Sequence, residues 1–289
     1  MDTSLSPIIT AEELLHIRSS ENLVIIDASN AKDAYADFKR EHLDKAVFVD
    51  VHTQLASVQQ DVSHGGRHPL PSIATFITVL DNLGIYKDAH VVVYDHAAGA
   101  NAAARFWWML KAIGHQKIQV LSGGFEYAES KGFPISKGEY VSPRGTDYTL
   151  DRNWTLPTVD IHEVERASAD DGYTIIDVRE ENRYQGIHEP IDLVAGHIPS
   201  AINLPFSLNL DENGLFLDAN HLKDVYRTAL EGRDLEKTIV HCGSGVTACH
   251  TILAMHLAGL SIPKLYVGSW SEWSRNNKPI DGKRSLDPL

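Results

Sequence analysis

Ile239-Val240-His241-Cys242-Gly243-Ser244-Gly245-Val246-Thr247-Ala248 is the stretch from which the rest of the chain can be organised. A buried-type strand ends on a thiol, two glycines let the backbone curl without Cβ clashes, and a helix begins near Thr247. Far upstream, Val91-Val92-Val93-Tyr94-Asp95 has the same form. It too is a strand that enters a small-residue loop and then a helix-like stretch, over 101–113 there and 247–258 here. The match extends in both directions. Leu23-Val24-Ile25-Ile26-Asp27 and Tyr173-Thr174-Ile175-Ile176-Asp177 are apolar strands ending in an acid, 173 − 23 = 150 positions apart. Glu41-His42-Leu43-Asp44-Lys45-Ala46 pairs with Gly196-His197-Ile198-Pro199-Ser200-Ala201 at an offset of 196 − 41 = 155. Val120-Leu121-Ser122-Gly123-Gly124-Phe125 pairs with Tyr266-Val267-Gly268-Ser269-Trp270. Blocks recurring in one order at nearly constant offset define an internal repeat, so the chain reads as two homologous domains. In each half, short strands alternate with amphipathic stretches at 11–19, 71–83, 159–169 and 222–230. That is the pattern of an α/β fold with a mainly parallel sheet flanked by helices. Sites in such sheets lie beyond the carboxyl ends of the strands, where Cys242 falls.

The repeat sets expected boundaries: a first domain at 1–135, a linker at 136–157 where periodicity fails and Lys, Gly, Pro, Asp and Asn accumulate, and a second domain at 158–289, the one that carries Cys242. With 289 residues, 43% hydrophobic and 22% charged, the composition is ordinary for a globular chain with room for two cores. A formal net charge of −13, without a basic stripe, argues against nucleic acid and against an anionic membrane surface as partners. No apolar run approaches the roughly 18–20 residues of a spanning helix. The opening Met1-Asp2-Thr3-Ser4-Leu5-Ser6-Pro7 lacks the basic and apolar regions of a signal peptide, so a cytoplasmic protein is expected. The cysteines are Cys242 and Cys249 only, too close together to staple a chain of this size, and a reducing compartment leaves them as thiols. The histidines have no ligand spacing, and no metal site is expected.

What a thiol does at the end of such a strand depends on the turn after it. Loop amides converging on the sulfur, with a helix N-terminus beneath, stabilise negative charge and make cysteine a nucleophile. The plainer reading of Cys242 is a small buried hydrophobe in a tight turn. Cysteine phosphatases also place His-Cys at such a site, but they need an arginine six positions after the cysteine to grip phosphate, and here that position is Ala248. The loop is uncharged and compact, better matched to one sulfur atom than to a tetrahedral dianion.

At this point the sequence resembles the tandem-domain rhodanese-like sulfurtransferases, and among them the 3-mercaptopyruvate sulfurtransferases. Cys242-Gly243-Ser244-Gly245-Val246-Thr247 matches the active loop of the mercaptopyruvate enzymes at every position. Gly196-His197-Ile198-Pro199, Gly268-Ser269-Trp270-Ser271-Glu272-Trp273, Phe106-Trp107-Trp108-Met109 and His68-Pro69-Leu70-Pro71 resemble further family segments, so the likeness spans nearly the whole chain. The resemblance implies two tandem rhodanese-like α/β domains and a two-step transfer without metal or organic cofactor. Cys242 attacks a donor's sulfur, the resulting persulfide rests in the cradle of Gly243, Ser244, Gly245, Val246 and Thr247, and an acceptor removes the outer sulfur. The implied donor is 3-mercaptopyruvate, and the implied acceptor is a thiol, such as a thioredoxin-like dithiol, or cyanide. Two alternatives stand beside it. One is a thiosulfate:cyanide sulfurtransferase, which would favour cationic residues after the cysteine. The other is a non-catalytic module that carries or senses a persulfide.

The resemblance also assigns helpers. Arg183, before Tyr184-Gln185-Gly186, matches the arginine that holds the donor carboxylate, whereas Arg179 reads as a structural partner of a carboxylate. A second substrate arginine is common after Glu-Pro in the family, but this chain has Glu189-Pro190-Ile191. Either Arg183 acts alone, or His188 or Arg67 substitutes, or donor preference has shifted. Ser244 would donate to the donor's carbonyl or enolate oxygen or else stabilise the loop. His68 resembles a family histidine near that serine, but the acidic partner expected before it is His52 here. Cys249 reads as a core residue of the helix after the loop, with a resolving thiol as the alternative. Asp95 stands where the repeat places Cys242, so the first half lacks the nucleophile. Its expected task is to cover the second-half site, with the Arg67-His68 loop as a wall.

Overall fold

A computed structural model describes residues 5–141, 148 and 153–282. By its contacts the chain forms two compact units, one made of Met1–Ser57, Pro71–Leu156 and Leu210–Phe216, the other of Val58–Leu70, Pro157–Asn209 and Leu217–Leu289. Each unit thus follows one half of the sequence apart from a short excursion: Val58–Leu70 belongs with the second unit and Leu210–Phe216 with the first. Of the expected linker at 136–157, residues 142–147 and 149–152 lie outside the described residues.

In the first unit, β1 (Ile8–Ile9), β2 (Leu23–Asp27), β4 (Ala46–Phe48), β5 (His90–Tyr94) and β6 (Ile118–Leu121) form a parallel sheet in the order β1-β6-β5-β2-β4. Strands β3 (His42–Leu43) and β7 (Ile135–Ser136) make a separate antiparallel pair. The helices are α1 (Ala11–Ile17), α2 (Ala34–Arg40), α3 (Ile73–Asn82), α4 (Ala102–Ala112) and α5 (Gly124–Ser130). Helix α1 begins where Thr10 and Glu13 cap each other: the Thr10 hydroxyl accepts from the Glu13 amide at 3.1 Å, and the Glu13 carboxylate accepts from the Thr10 amide at 2.9 Å. Ile9, Leu14, Ile25, Val92, Leu121 and Phe125 form the core around these strands.

The second unit repeats the plan. Strands β8 (Thr158–Val159), β9 (Thr174–Asp177), β10 (Ile202–Asn203), β11 (Thr238–His241) and β12 (Lys264–Tyr266) form a parallel sheet in the order β8-β12-β11-β9-β10, the same arrangement under the internal repeat. Around it lie α6 (Ile161–Ala167), α7 (Glu181–Tyr184), α8 (Ala219–Ala229), α9 (Ala248–Leu257) and α10 (Ser269–Trp273). The Asp160 carboxylate starts α6 by accepting the Glu163 amide at 2.8 Å. Helix α9 is buried from Ala248 through Met255, as its nearly unbroken apolar and small-residue sequence requires. The register also repeats. Asp177 lies opposite His241 as Asp27 lies opposite Tyr94, so Cys242 and Asp95 are structurally equivalent strand ends. Both domains are therefore α/β units with parallel five-stranded sheets, as the strand and helix alternation in the sequence implied.

Candidate active site

Cys242 with its loop, Arg183 and His68 all lie in the second unit, after the carboxyl ends of β9 and β11 or on the segment Val58–Leu70. Cys242 follows β11 directly and is only 2% exposed. Its backbone is held from the far side. The Cys242 amide donates to the Ser269 hydroxyl at 3.2 Å, the Cys242 carbonyl accepts from the Trp270 amide at 3.1 Å, and the Gly243 carbonyl accepts from the Ser271 amide at 2.9 Å. Gly245 turns the loop at a φ of +73°, where a Cβ would also run into the Val267 carbonyl. Gly245→Ala should therefore cost at least about 1–2 kcal/mol. A denaturant melt checks this, and an unchanged midpoint would show that the turn relaxes freely.

The equivalent turn of the first unit shows what this backbone does to a negative charge. The Asp95 carboxylate is fully buried and accepts amides from Ala97 and Gly99 at 2.8 Å each, from Asn101 at 3.1 Å and from Ala103 at 3.2 Å. Burial alone pushes the Asp95 carboxyl above its usual value, and these amides oppose that rise. At Cys242 a sulfur stands in place of the carboxylate. Among the described residues, the amides of Gly243, Ser244, Val246 and Thr247 donate to no protein acceptor. They remain available to an anion in the turn.

Above the loop lies a network of arginines and carboxylates. Arg179, with its side chain 1% exposed, binds Asp177 at 2.6 Å, Glu189 at 3.2 Å and the Gly196 carbonyl at 2.7 Å, and lies over the Trp270 ring. That is the structural role read for it from the sequence. Burial raises the Asp177 carboxyl, but Arg179 and His241 outweigh it and hold the group below its ordinary value. His241 is buried and pushed below its usual pKa by desolvation, and its Nδ1 lies 3.1 Å from the Cys242 carbonyl. Arg183, the last-turn residue of α7, binds Glu189 at 2.8 Å and stands 3.6 Å from Asp192. The Ile191 side chain is 54% exposed and only its amide joins this network, donating to Glu189 at 3.0 Å, while His188 is exposed.

The segment Val58–Leu70 completes the site from a distant part of the chain. The Gly65 amide donates to Glu272 at 2.8 Å, the Arg67 amide to the Ser271 hydroxyl at 3.1 Å, and Asn276 to the Ser63 carbonyl at 2.8 Å. Gly66, at a φ of +74°, passes so close to the Gly268 carbonyl that no Cβ fits. These contacts place His68 Nδ1 2.8 Å from the Ser244 hydroxyl, both side chains buried, and place the Arg67 guanidinium on Asp192. The structure thus brings together Cys242, Ser244, His68 and Arg183. It adds Arg67, Glu189, Asp192 and Arg275, of which the sequence raised only Arg67, as one option among several. Cys249 sits inside α9, fully buried, with its thiol toward the Gly245 carbonyl at 3.4 Å. Among the described residues no group of three metal-binding side chains occurs and no helix is long and apolar enough to cross a membrane.

The rhodanese-like domain model matches twice, over residues 10–131 and 160–276, and the chain belongs to that family as a tandem-domain member. A probable 3-mercaptopyruvate sulfurtransferase of Pseudomonas aeruginosa is 36% identical over 93% of this chain and 95% of its own. A thiosulfate sulfurtransferase of Gallus gallus is 34% identical over 91% and 90%. The solved 3-mercaptopyruvate sulfurtransferase of Leishmania major superposes with a TM-score of 0.80 at 29% identity, covering 92% of this chain and 74% of that one.

Proposed function

We propose that the protein is a sulfurtransferase that moves sulfane sulfur from 3-mercaptopyruvate to a thiol or cyanide through a persulfide on Cys242. The observation that carries this reading is the turn after β11: a thiol ends the strand at 2% exposure, inside a loop whose twin in the first unit holds a carboxylate with backbone amides. The names of the relatives support the enzyme class and the donor. In the first half-reaction the Cys242 thiolate attacks the donor sulfur. An S–S bond forms, the donor C–S bond breaks, and its electron pair passes into the carbon fragment as the enolate of pyruvate. The enolate takes up one proton to give pyruvate, and the outer persulfide sulfur releases one, so the step is balanced. Ser244, hydrogen-bonded to His68, is suited to hand that proton across. In the second half-reaction the acceptor attacks the outer sulfur and Cys242 leaves as thiolate, held by the loop amides.

Arg183 fixes the donor carboxylate in this scheme, exchanging part of its grip on Glu189 for the substrate. Arg183→Met should raise KM for mercaptopyruvate by roughly tenfold to a hundredfold, the worth of one charge-assisted contact. Steady-state kinetics checks it, and an unchanged KM would remove Arg183 from the donor site. The function itself is tested by incubating the protein with mercaptopyruvate and cyanide. Pyruvate and thiocyanate should form in equal amounts, with the parallel double-reciprocal lines of a ping-pong reaction. Absence of thiocyanate would leave the persulfide-carrying module as the better reading.

A further inference from the structure

His241 ends β11 one residue before the thiol, with its side chain fully buried. Strand β11 pairs with β9 so that His241 lies opposite Asp177. Its Nε2 stands 3.7 Å from an Asp177 carboxylate oxygen and finds no hydrogen-bond partner among the described residues. Burial pushes the ring below its ordinary pKa more than Asp177 raises it, so the imidazole is neutral at neutral pH. Its Nδ1 lies 3.1 Å from the Cys242 carbonyl, and since a carbonyl only accepts, the single ring hydrogen sits on Nδ1. The same carbonyl accepts the Trp270 amide at 3.1 Å, so two donors converge on one end of the Cys242–Gly243 peptide. At the other end of that peptide is the Gly243 amide, which donates to no protein acceptor among the described residues. In the first unit the Asp95 carbonyl accepts the Phe125 amide at 3.2 Å, just as Cys242 accepts that of Trp270. There, however, Tyr94 takes the place of His241, and its hydroxyl accepts the Leu43 amide at 3.1 Å. Among the described residues the second donor occurs on the turn that carries a thiol and not on the turn that carries a carboxylate.

We propose that His241 is a positioning residue that acts on Cys242 through the Cys242–Gly243 peptide, polarising its carbonyl so that the Gly243 amide holds a sulfur anion in the turn more strongly. Hydrogen bonds in series strengthen one another, and a buried site of low dielectric enlarges the effect. This role rests on the reading of Cys242 as the sulfur carrier. It serves both half-reactions, because Cys242 is a thiolate when it attacks the donor and again when the acceptor displaces it. The charged and titratable groups that face His241 are Asp177, Arg179, His197 and Tyr266. Those that face the turn are Arg67 and Arg183 over Gly243, and His68 through Ser244. None of them is altered when His241 alone is substituted, so a change in the thiol reads the imidazole.

The thiolate of Cys242 can be followed across pH by its ultraviolet absorbance, in a Cys249→Ser background and as the difference from Cys242→Ser. His241→Phe keeps the bulk of the ring and loses the donor, while Asp177 keeps Arg179 at 2.6 Å. In that variant the midpoint of thiolate formation should rise by about half to one pH unit, the worth of one hydrogen bond. His241→Asn, whose side-chain amide can donate from the place of Nδ1, should restore most of the difference. An unmoved midpoint in His241→Phe, or an equal rise in both variants, would overturn the proposal. If His241→Phe does not fold, nitrogen-15 NMR of the wild type decides, with the His241 signal identified by its absence from His241→Asn. A neutral imidazole with its hydrogen on Nδ1 is expected, and a hydrogen on Nε2 or a charged ring at neutral pH would overturn the proposal. The titration needs no sulfur donor. A protein that takes no sulfur from mercaptopyruvate yet shows the rise and its recovery would lose the sulfurtransferase reading and keep the action of His241 on the thiol.

Discussion

Cys242→Ser should reduce sulfur transfer from 3-mercaptopyruvate by roughly 10⁴-fold or more, because the proposed persulfide needs a sulfur at that strand end and serine has none. The substitution replaces one sulfur atom by oxygen at a position held through its backbone, by Ser269 and Trp270, so the fold and its melting point should be nearly unchanged. Cys249→Ser is the matching control. That thiol points to the Gly245 carbonyl inside α9, and a hydroxyl there can make the same contact. It should keep most of the activity. Full turnover in Cys242→Ser, or equal losses in the two variants, would remove the nucleophile from Cys242.

The second large effect concerns stability. Asp177→Ala should destabilise the second unit by about 3–5 kcal/mol, the usual cost of leaving one member of a buried ion pair without its partner. Arg179 is 1% exposed and would keep only Glu189 and the Gly196 carbonyl. The same pair sets the acid limit of the fold. Asp177 and Glu189 both have carboxyls held below their ordinary values: burial raises each, and the arginines with the surrounding hydrogen bonds more than reverse it. A carboxyl with a lowered folded pKa contributes stability that is present above its unfolded value, near pH 4, and is lost as pH falls through the folded value. Urea midpoints should hold steady from neutral pH to about pH 5 and drop below about pH 4. Asp177→Ala should flatten that drop as well as lower the whole curve. A flat wild-type curve down to pH 3 would contradict the assignment.

The sequence carried the strand ends, the repeat and the loop because each depends on residues close together in the chain. An apolar run ending in Asp177 or Cys242, and glycines at 243 and 245, are local signals. Arg179 was readable for the same reason, being two positions from its partner Asp177. In the upper part of the site, Arg183 and the Arg67-His68 loop were readable only through the family resemblance, and the carboxylates that hold the arginines were not. Arg67 meets Asp192 across 125 positions, and the Arg67 amide meets Ser271 across 204, and no periodicity joins them. The excursion of Val58–Leu70 into the second unit is what brings them to Gly243, and a strictly linear domain boundary hides it. The first-half loop is a different case. Asp95 is visible in the sequence as a missing nucleophile, but only the structure shows that the turn still gathers four amides around a charge. That turn is a natural control for the one around Cys242.

Whether one sulfur atom is carried on Cys242 is tested most directly by intact-mass spectrometry with peptide mapping. Protein mixed briefly with 3-mercaptopyruvate and freed of donor should gain one sulfur, located on the peptide containing Cys242, and should lose it on addition of cyanide as thiocyanate appears. No added sulfur, or sulfur found on Cys249 with Cys242 unmodified, would contradict the account.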